Sequence, residues 1–160
     1  MEYQVNINYR FFAESLKEAQ KMARLYVRHN SNPKPMPDSA CSPLEIAQRC
    51  SDFRKAEKEH FCVFHMDTQN KIINREIVSI GTLNASLIHP REYFKTAIRQ
   101  NCCSVIFVHN HPSGSLDPSA EDITVTKRLI SAGKILGIEV LDHVIVTAES
   151  HKSFKEQNLL

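Results

Sequence analysis

Apolar residues recur along this chain with two different spacings, one typical of strands and one typical of helices. Short runs rich in β-branched residues predict strands, and the clearest is the continuous apolar run at 104–108. Apolar positions three and four residues apart predict helices, and Ser42 and Ser119 are the polar caps expected before two of them. The predicted elements are, in chain order, a helix beginning at Pro43, strands at 60–66 and 71–80, a helix at 90–100, the strand at 104–108, a helix at 120–136 ended by Gly137, and a strand at 138–146. The first two strands are expected to pair as a hairpin. The first helix is expected to bury Ile46, Ala47, Cys50 and Phe53, and the second to bury Tyr93, Phe94, Ala97 and Ile98.

The first 42 residues differ in pattern from the rest. Residues 1–9 alternate as a short strand would, and residues 12–29 carry the apolar stripe of an amphipathic helix. Prolines at 33, 35 and 37 then exclude regular structure and mark the clearest boundary in the chain. We therefore predict a short N-terminal helical arm with a proline-rich linker over 1–42, and one domain over 43–160.

Composition fits a compact domain and disfavours several classes of protein. Hydrophobic residues make up 42% of the chain, which is enough for a core. The 20 basic and 18 acidic residues give a net charge of +2, so no electrostatic footprint for nucleic acid stands out, and association with nucleic acid stays uncertain. No apolar run approaches the roughly 20 residues that cross a membrane, and we expect no signal peptide. Five cysteines without framework spacing favour a reducing, cytoplasmic location, while the oligomeric state is left open.

A candidate metal site follows the clearest strand. His109 and His111 continue the line of 104–108 with one residue between them, and Pro112 then ends the strand because it has no N–H for the ladder. On a strand, residues i and i+2 project from the same face roughly 6.6 Å apart along the backbone, so both imidazoles are able to reach one ion. Asn110 points to the opposite face, where we expect it to fix a loop.

Asp122 is the third candidate ligand, in the first turn of the helix that begins after Ser119. The two residues stand in the S-x-x-D relation of a capping box, which is the ordinary interpretation of this spacing. The preceding histidines favour a second role, because the same helical turn directs the carboxylate back toward the strand end. Three ligands are what a catalytic zinc site takes from the protein, with the fourth position left for water. His143, by contrast, is expected to be a core histidine bonded to a neighbour rather than a fourth ligand.

The spacing of His109, His111, Ser119 and Asp122 matches the JAMM signature of the JAB/MPN metallopeptidase superfamily. The surrounding sequence resembles the bacterial RadC family over about residues 43–160, in the segments GTLNASLIHPRE at 81–92, HNHPSG at 109–114, LGI at 136–138, LDH at 141–143 and SFKE at 153–156. The resemblance implies an α/β fold, a mixed β-sheet flanked by helices that is related in layout to the cytidine deaminases, with one Zn²⁺ ion. It also implies hydrolysis of a peptide or isopeptide bond in a peptide or protein substrate, under a family label of DNA repair. Full-length members carry an N-terminal helix-hairpin-helix region, and its G-x-G pattern is not found in residues 1–42, which puts direct DNA binding in doubt.

The resemblance also assigns catalytic roles. Members of the superfamily use a glutamate on the first strand of the domain as general base, and the best match is Glu59, directly before the apolar run at 60–66. From the residues alone, Glu59 has the ordinary interpretation of a solvated charge, and Glu92 is its rival for the role of base. Ser119, by the same match, would help to hold the tetrahedral oxyanion.

Other metal and nuclease motifs are not matched. The letters HNH at 109–111 lack the wide spacing of the HNH nucleases, and the chain contains neither the C-x-x-C of zinc deaminases nor the H-E-x-x-H of helical zinc proteases. Two alternatives to a peptidase stay open. One is a non-catalytic, zinc-stabilised binding module in DNA repair or mobile elements, in which Glu59→Gln has no effect. The other is a metal-dependent nuclease, which the neutral charge balance disfavours.

Overall fold

The computed structural model describes residues 42–81 and 88–160. The strand and helix predicted at 1–9 and 12–29 lie outside these residues, as do positions 82–87 of the RadC-like segment. The described residues form α1 (Pro43–Gln48), β1 (His60–Met66), β2 (Ile72–Ile80), α2 (Pro90–Arg99), β3 (Ser104–Asn110), α3 (Ala120–Leu136), β4 (Glu139–Val146) and β5 (His151–Ser153). Every element predicted within this part of the chain is present, but the helix that begins at Pro43 ends at Gln48, so Cys50 and Phe53 are buried from the turns that follow it and not from its own face. β5 is a short strand that the pattern did not predict.

The five strands form one mixed sheet in the order β2-β1-β3-β4-β5. β1 pairs antiparallel with β2 and with β3, β3 pairs parallel with β4, and β4 pairs antiparallel with β5. β3 is the central strand, and all of its residues are buried. The continuous apolar run at 104–108 therefore marks the middle of the sheet, as expected for a strand covered on both faces. The mixed sheet with flanking helices confirms the α/β fold that the resemblance implies.

The two faces of the sheet are covered by different helices. Alternate side chains of a strand point to opposite faces, so successive residues of β1 and β3 contribute to two separate cores. One core lies between the sheet and α2 with α3, and includes Phe61, Val63, Phe94, Ala97, Val105, Phe107, Val125 and Leu129. The other lies between the sheet and the segment that begins with α1, and includes Ile46, Ala47, Cys50, Phe53, Cys62, Phe64, Ile106 and Val108.

One predicted core position is wrong. Ile98 is 51% exposed, whereas the helical pattern placed it in the core with Ala97. Consecutive residues of a helix point about 100° apart around its axis, and Tyr93, Phe94 and Ala97 already occupy the buried face of α2. Ile98 therefore turns toward solvent.

Within 42–81 and 88–160, no helix combines the length and the apolar character that a membrane span requires.

Candidate metal centre

The two histidines of the H-x-H motif lie where the central strand leaves the sheet. His109 follows Val105 and Phe107 on the face of β3 that packs against α2 and α3, and it is fully buried. His111 comes just after β3, but its backbone N–H still donates to the carbonyl of Val146 at 2.9 Å. The ladder with β4 therefore holds His111 in an extended position beside His109. The Nε2 atoms of the two imidazoles are 2.9 Å apart.

Asp122 reaches the same point from the first turn of α3. Its Oδ2 accepts hydrogen bonds from the backbone N–H of Ser119 at 2.8 Å and from the Ser119 hydroxyl at 2.7 Å, while Ser119 Oγ accepts from the Asp122 N–H at 3.0 Å. The capping box is thus complete. The same carboxylate has Oδ1 3.3 Å from His109 Nε2 and Oδ2 3.3 Å from His111 Nε2. Asp122 therefore both caps the helix and faces the two histidines.

The three side chains form a buried group that could hold a metal ion. One ligand atom from each of His109, His111 and Asp122 lies within 4.8 Å of the other two. Two imidazole nitrogens and one carboxylate oxygen are donors that divalent transition metals accept. Among the described residues this is the one group of three or more histidine, cysteine, aspartate or glutamate side chains that meets this criterion.

The ring of His111 is oriented by the turn that follows it. Gly114 has a φ of 79°, a left-handed conformation that glycine adopts at little cost, and its N–H donates to the His111 carbonyl at 3.1 Å. This turn brings the Ser115 carbonyl to 2.8 Å from His111 Nδ1. A carbonyl oxygen only accepts, so Nδ1 carries a hydrogen, and Nε2 is the atom that the neutral ring would offer to a metal ion. The turn therefore places Nε2 of His111 beside Asp122, at 3.3 Å from its Oδ2.

The ring of His109 is held by residues from β4 and α3. Its Nδ1 lies 2.8 Å from Nε2 of His143, and Nδ1 of His143 lies 2.6 Å from the Thr126 hydroxyl. His143 is indeed a buried histidine bonded to a neighbour, and the neighbour is His109. Thr126 was not singled out from the sequence. The one available signal was its position four residues after Asp122, which places both on one face of α3.

The charges of the group favour a cation. Burial alone would raise the pKa of Asp122, but hydrogen bonds with His109 and His111 hold that pKa well below its usual range. Contact with the carboxylate raises the pKa of His111, whereas burial lowers the pKa of His109. A buried, charged carboxylate needs a positive partner or hydrogen-bond donors. A metal ion fits this requirement and this set of donors.

Glu59, the candidate general base, directly precedes β1 and is half-buried. Because β1 pairs antiparallel with β3, with Phe61 opposite His109, the chain at Glu59 passes the end of β3. Its negative charge acts on both His109 and His111, where it favours the protonated rings. Its backbone carbonyl accepts from the Gly81 N–H at 2.8 Å. Glu59 is therefore electrostatically part of the group.

Glu92, the rival base, lies in the first turn of α2. Its side chain is 53% exposed and pairs with Arg91 at 3.2 Å. Its charge is not among the main influences on the pKa of either His109 or His111. The charge of Glu59, and not that of Glu92, therefore contributes to the pKa shifts of the two histidines.

Asn110 lies between the two candidate ligands and points to the other face of β3, as expected. Its side chain is fully buried. Its Oδ1 accepts from the His60 N–H at 2.6 Å, and its Nδ2 donates to the carbonyls of Ala56 and Lys58 at 3.3 and 3.1 Å. These three bonds fasten the segment that carries Glu59 to the end of β3.

The fold and this group of side chains define an α/β domain with a candidate metal centre at the end of its central strand. The chain belongs to the family of RadC-like JAB domains, whose family model matches residues 40–159. This match confirms the resemblance to the RadC family over about residues 43–160.

Several curated relatives carry the name UPF0758 protein, which states no activity. The chain is 52% identical to that of Desulforamulus reducens over 109 residues, which cover 68% of this chain and 48% of the relative. It is 47% identical to that of Methanosarcina acetivorans over 121 residues, 75% of this chain and 53% of the relative. It is 44% identical to that of Desulfitobacterium hafniense over 149 residues, 92% of this chain and 64% of the relative. The chain thus spans about half the length of the first two relatives.

Proposed function

We propose that this domain is a zinc-dependent hydrolase of the JAMM metallopeptidase type, which cleaves a peptide or isopeptide bond. The observation that carries the proposal is the convergence of three buried side chains with ligand atoms within 4.8 Å of one another. His109, His111 and Asp122 would hold the ion, and Glu59 lies close enough for its charge to act on both histidines. A Zn²⁺ ion, when bound, lowers the pKa of a water molecule to about 7.

Glu59 and Ser119 would perform the proton transfer and the stabilisation of charge. Glu59 would accept a proton at its carboxylate and deliver it to the leaving amine. Ser119 would donate its hydroxyl hydrogen to the developing oxyanion. In this structure that hydrogen is donated to Asp122 Oδ2, so the role requires the hydroxyl to turn from the carboxylate toward a substrate.

The proposal also includes the cellular location of the protein and the class of its substrate. Cys50, Cys62, Cys102 and Cys103 are free thiols, which supports a reducing, cytoplasmic location. The substrate would be a peptide or a protein, because the JAB relationship concerns the hydrolysis of amide bonds. The family label of DNA repair is tested by including DNA among the substrates.

The test compares the wild type with His111→Ala, Glu59→Gln and Glu92→Gln. Elemental analysis of each purified protein gives its zinc content, and hydrolysis is screened on peptides, isopeptide-linked conjugates and single-stranded DNA. We expect one zinc per chain except in His111→Ala. We expect Glu59→Gln to keep its zinc and to lose about 10²–10⁴-fold in rate, the usual contribution of a general base. Glu92→Gln is the matched control and should match the wild type.

The other outcomes would indicate a different function or a different general base. A protein that holds zinc but shows no dependence on Glu59 would be the zinc-stabilised binding module. Cleavage of single-stranded DNA alone would identify a nuclease. A loss of activity in Glu92→Gln alone would move the role of base to Glu92. Absence of zinc from carefully purified wild type would refute the proposal as a whole.

A further inference from the structure

We infer that His143 and Thr126 form a hydrogen-bonded relay that fixes the ring hydrogen of His109 on Nδ1, and thereby presents Nε2 of His109 to a cation as a free ligand. The inference rests on the metal centre of the proposed function, but it does not depend on hydrolysis. Both residues would be positioning residues, because they contact a ligand and not the ion.

The direction of the relay is set at its far end, on α3. The Thr126 hydroxyl oxygen lies 2.6 Å from the backbone carbonyl oxygen of Asp122, four residues earlier. A carbonyl oxygen only accepts, so the one hydroxyl hydrogen of Thr126 is donated to Asp122. Thr126 Oγ1 is therefore left as an acceptor toward its second neighbour, which is His143 Nδ1 at 2.6 Å.

This direction passes through His143 to His109. Because Thr126 accepts, Nδ1 of His143 must carry a hydrogen. The ring of His143 is fully buried, which keeps it neutral with a single hydrogen, so its Nε2 is an acceptor. The His109 Nδ1 that lies 2.8 Å from this acceptor is then the donor. A neutral His109 with its hydrogen on Nδ1 has a free lone pair on Nε2, the atom that faces Asp122 at 3.3 Å.

Packing fixes the rings that carry this relay. The His143 ring is stacked on Phe154, with centroids 4.7 Å apart and planes at 23°. The His109 ring is stacked on Phe61, with centroids 5.8 Å apart and planes at 7°. Thr126 is also fully buried. The relay thus connects α3, β4 and β3, in the order Asp122, Thr126, His143 and His109, so a candidate ligand lies at each end.

Replacement of Thr126 by valine tests the direction of the relay with little change of shape. Without the hydroxyl, Nδ1–H of His143 has no acceptor, and the ring gains by moving its hydrogen to Nε2. His143 would then donate to His109 Nδ1, and the hydrogen of His109 would move to Nε2, where it blocks the ligand. Thr126→Ser keeps the hydroxyl and should preserve the relay, although it removes a methyl group.

The first measurement is the zinc dissociation constant of the full chain, obtained by competition with a chromogenic chelator. Loss of an outer partner of a ligand typically costs 10- to 100-fold in metal affinity, and we expect a loss in this range for Thr126→Val. Thr126→Ser should stay within about threefold of the wild type, since it keeps the hydroxyl that orients His143, the outer partner of His109. Thr124→Val is the matched control, because the exposed Thr124 makes the same bond to a carbonyl four residues earlier, Ala120, without contacting His143. Affinity of Thr126→Val within about threefold of the wild type would overturn the inference.

The second measurement identifies the hydrogen position directly. Two-bond ¹H–¹⁵N correlation spectra distinguish the two tautomers of His109 in the chelator-treated full chain. We expect Nδ1–H in the wild type and in Thr126→Ser, and Nε2–H in Thr126→Val. A wild type with Nε2–H would overturn the relay even if the protein binds zinc and hydrolyses a peptide. Conversely, the expected spectra would uphold the relay in a protein that hydrolyses nothing.

Discussion

Asn110→Ala removes a side chain that holds the segment of the candidate base against the metal centre. The amide of Asn110 makes three hydrogen bonds to the backbone of residues 56–60, at 2.6, 3.1 and 3.3 Å. The side chain is fully buried and is not a candidate ligand. Alanine at this position leaves β3 and its two histidines in place, but it releases the segment on which Glu59 lies.

The expected loss of stability follows from these bonds. A net contribution of about 1 kcal/mol for each hydrogen bond gives a decrease of about 3 kcal/mol in the free energy of unfolding. Asn110→Asp should be at least as harmful, because it keeps the acceptor for the His60 N–H but directs a buried carboxylate at two carbonyl oxygens. Gln157→Ala, which changes an exposed amide, should alter the free energy of unfolding by less than about 0.5 kcal/mol.

Urea unfolding followed by circular dichroism measures these differences, and zinc analysis accompanies it. We expect Asn110→Ala to keep stoichiometric zinc, since all three candidate ligands remain, and to lose activity because Glu59 is less well placed. A decrease in stability below about 1 kcal/mol would show that the amide is replaced by water at little cost. Loss of zinc in a variant that is still folded would show that Asn110 supports the ligands themselves, and the separation of roles would be wrong.

Two further predictions concern His65 and Ser119. Burial lowers the pKa of His65 from 6.5 to about 4 even though Glu76 lies 3.9 Å away, so between these pH values the unfolded chain binds a proton that the folded chain does not. This difference at His65 alone should cost the folded state up to about 3 kcal/mol as pH falls from 6.5 to 4. His65→Gln should make the pH dependence of stability shallower by this amount, whereas His89→Gln, at an exposed site, should leave it unchanged; equal slopes in all three proteins would refute the argument. Ser119→Ala should lower the free energy of unfolding in urea by about 1 kcal/mol, because the helix cap is lost. It should also lower kcat by about 10²–10³-fold, because Ser119 would no longer donate to the oxyanion. An unchanged kcat on a substrate of the wild type would leave Ser119 only the role of a capping residue.

The elements of this domain were predictable because their boundary signals are local. Ser42 forms a capping box with Glu45 at the start of α1, and Gly137 ends α3 with a φ of 69°. The apolar run at 104–108 indicated a buried strand, and it is the central strand of the sheet. The wrong prediction that Ile98 is buried depends on information that is not local. Which apolar residue at the edge of a helical stripe is buried depends on the elements that pack against it, and a periodic pattern does not contain that information.

His143 was predicted to be a buried histidine bonded to a neighbour, but the identity of that neighbour could not be predicted, because it depends on pairing between distant segments. His143 lies opposite Phe107 in the parallel ladder of β3 and β4, and 34 residues separate it from His109. A parallel register is set by the crossover helix and the packing of the sheet, neither of which follows from a local motif. The sequence therefore indicates the residues that form a spacing pattern and a buried His143, but not that His143 contacts His109 or that Thr126 contacts His143.

The two interpretations of the S-x-x-D motif turn out to be compatible, and the reason is physical. The first turn of a helix has unpaired N–H groups and the positive end of the helix dipole, so a carboxylate at Asp122 is stabilised there in its charged form. The bonds from Ser119 use one side of Oδ2 and orient the carboxylate, which still faces His109 and His111. A cap that holds a charged carboxylate rigidly also meets the requirement for a preorganised ligand. The motif therefore points to a metal centre only when a strand has already brought two lone pairs to the same place, as the H-x-H motif does here.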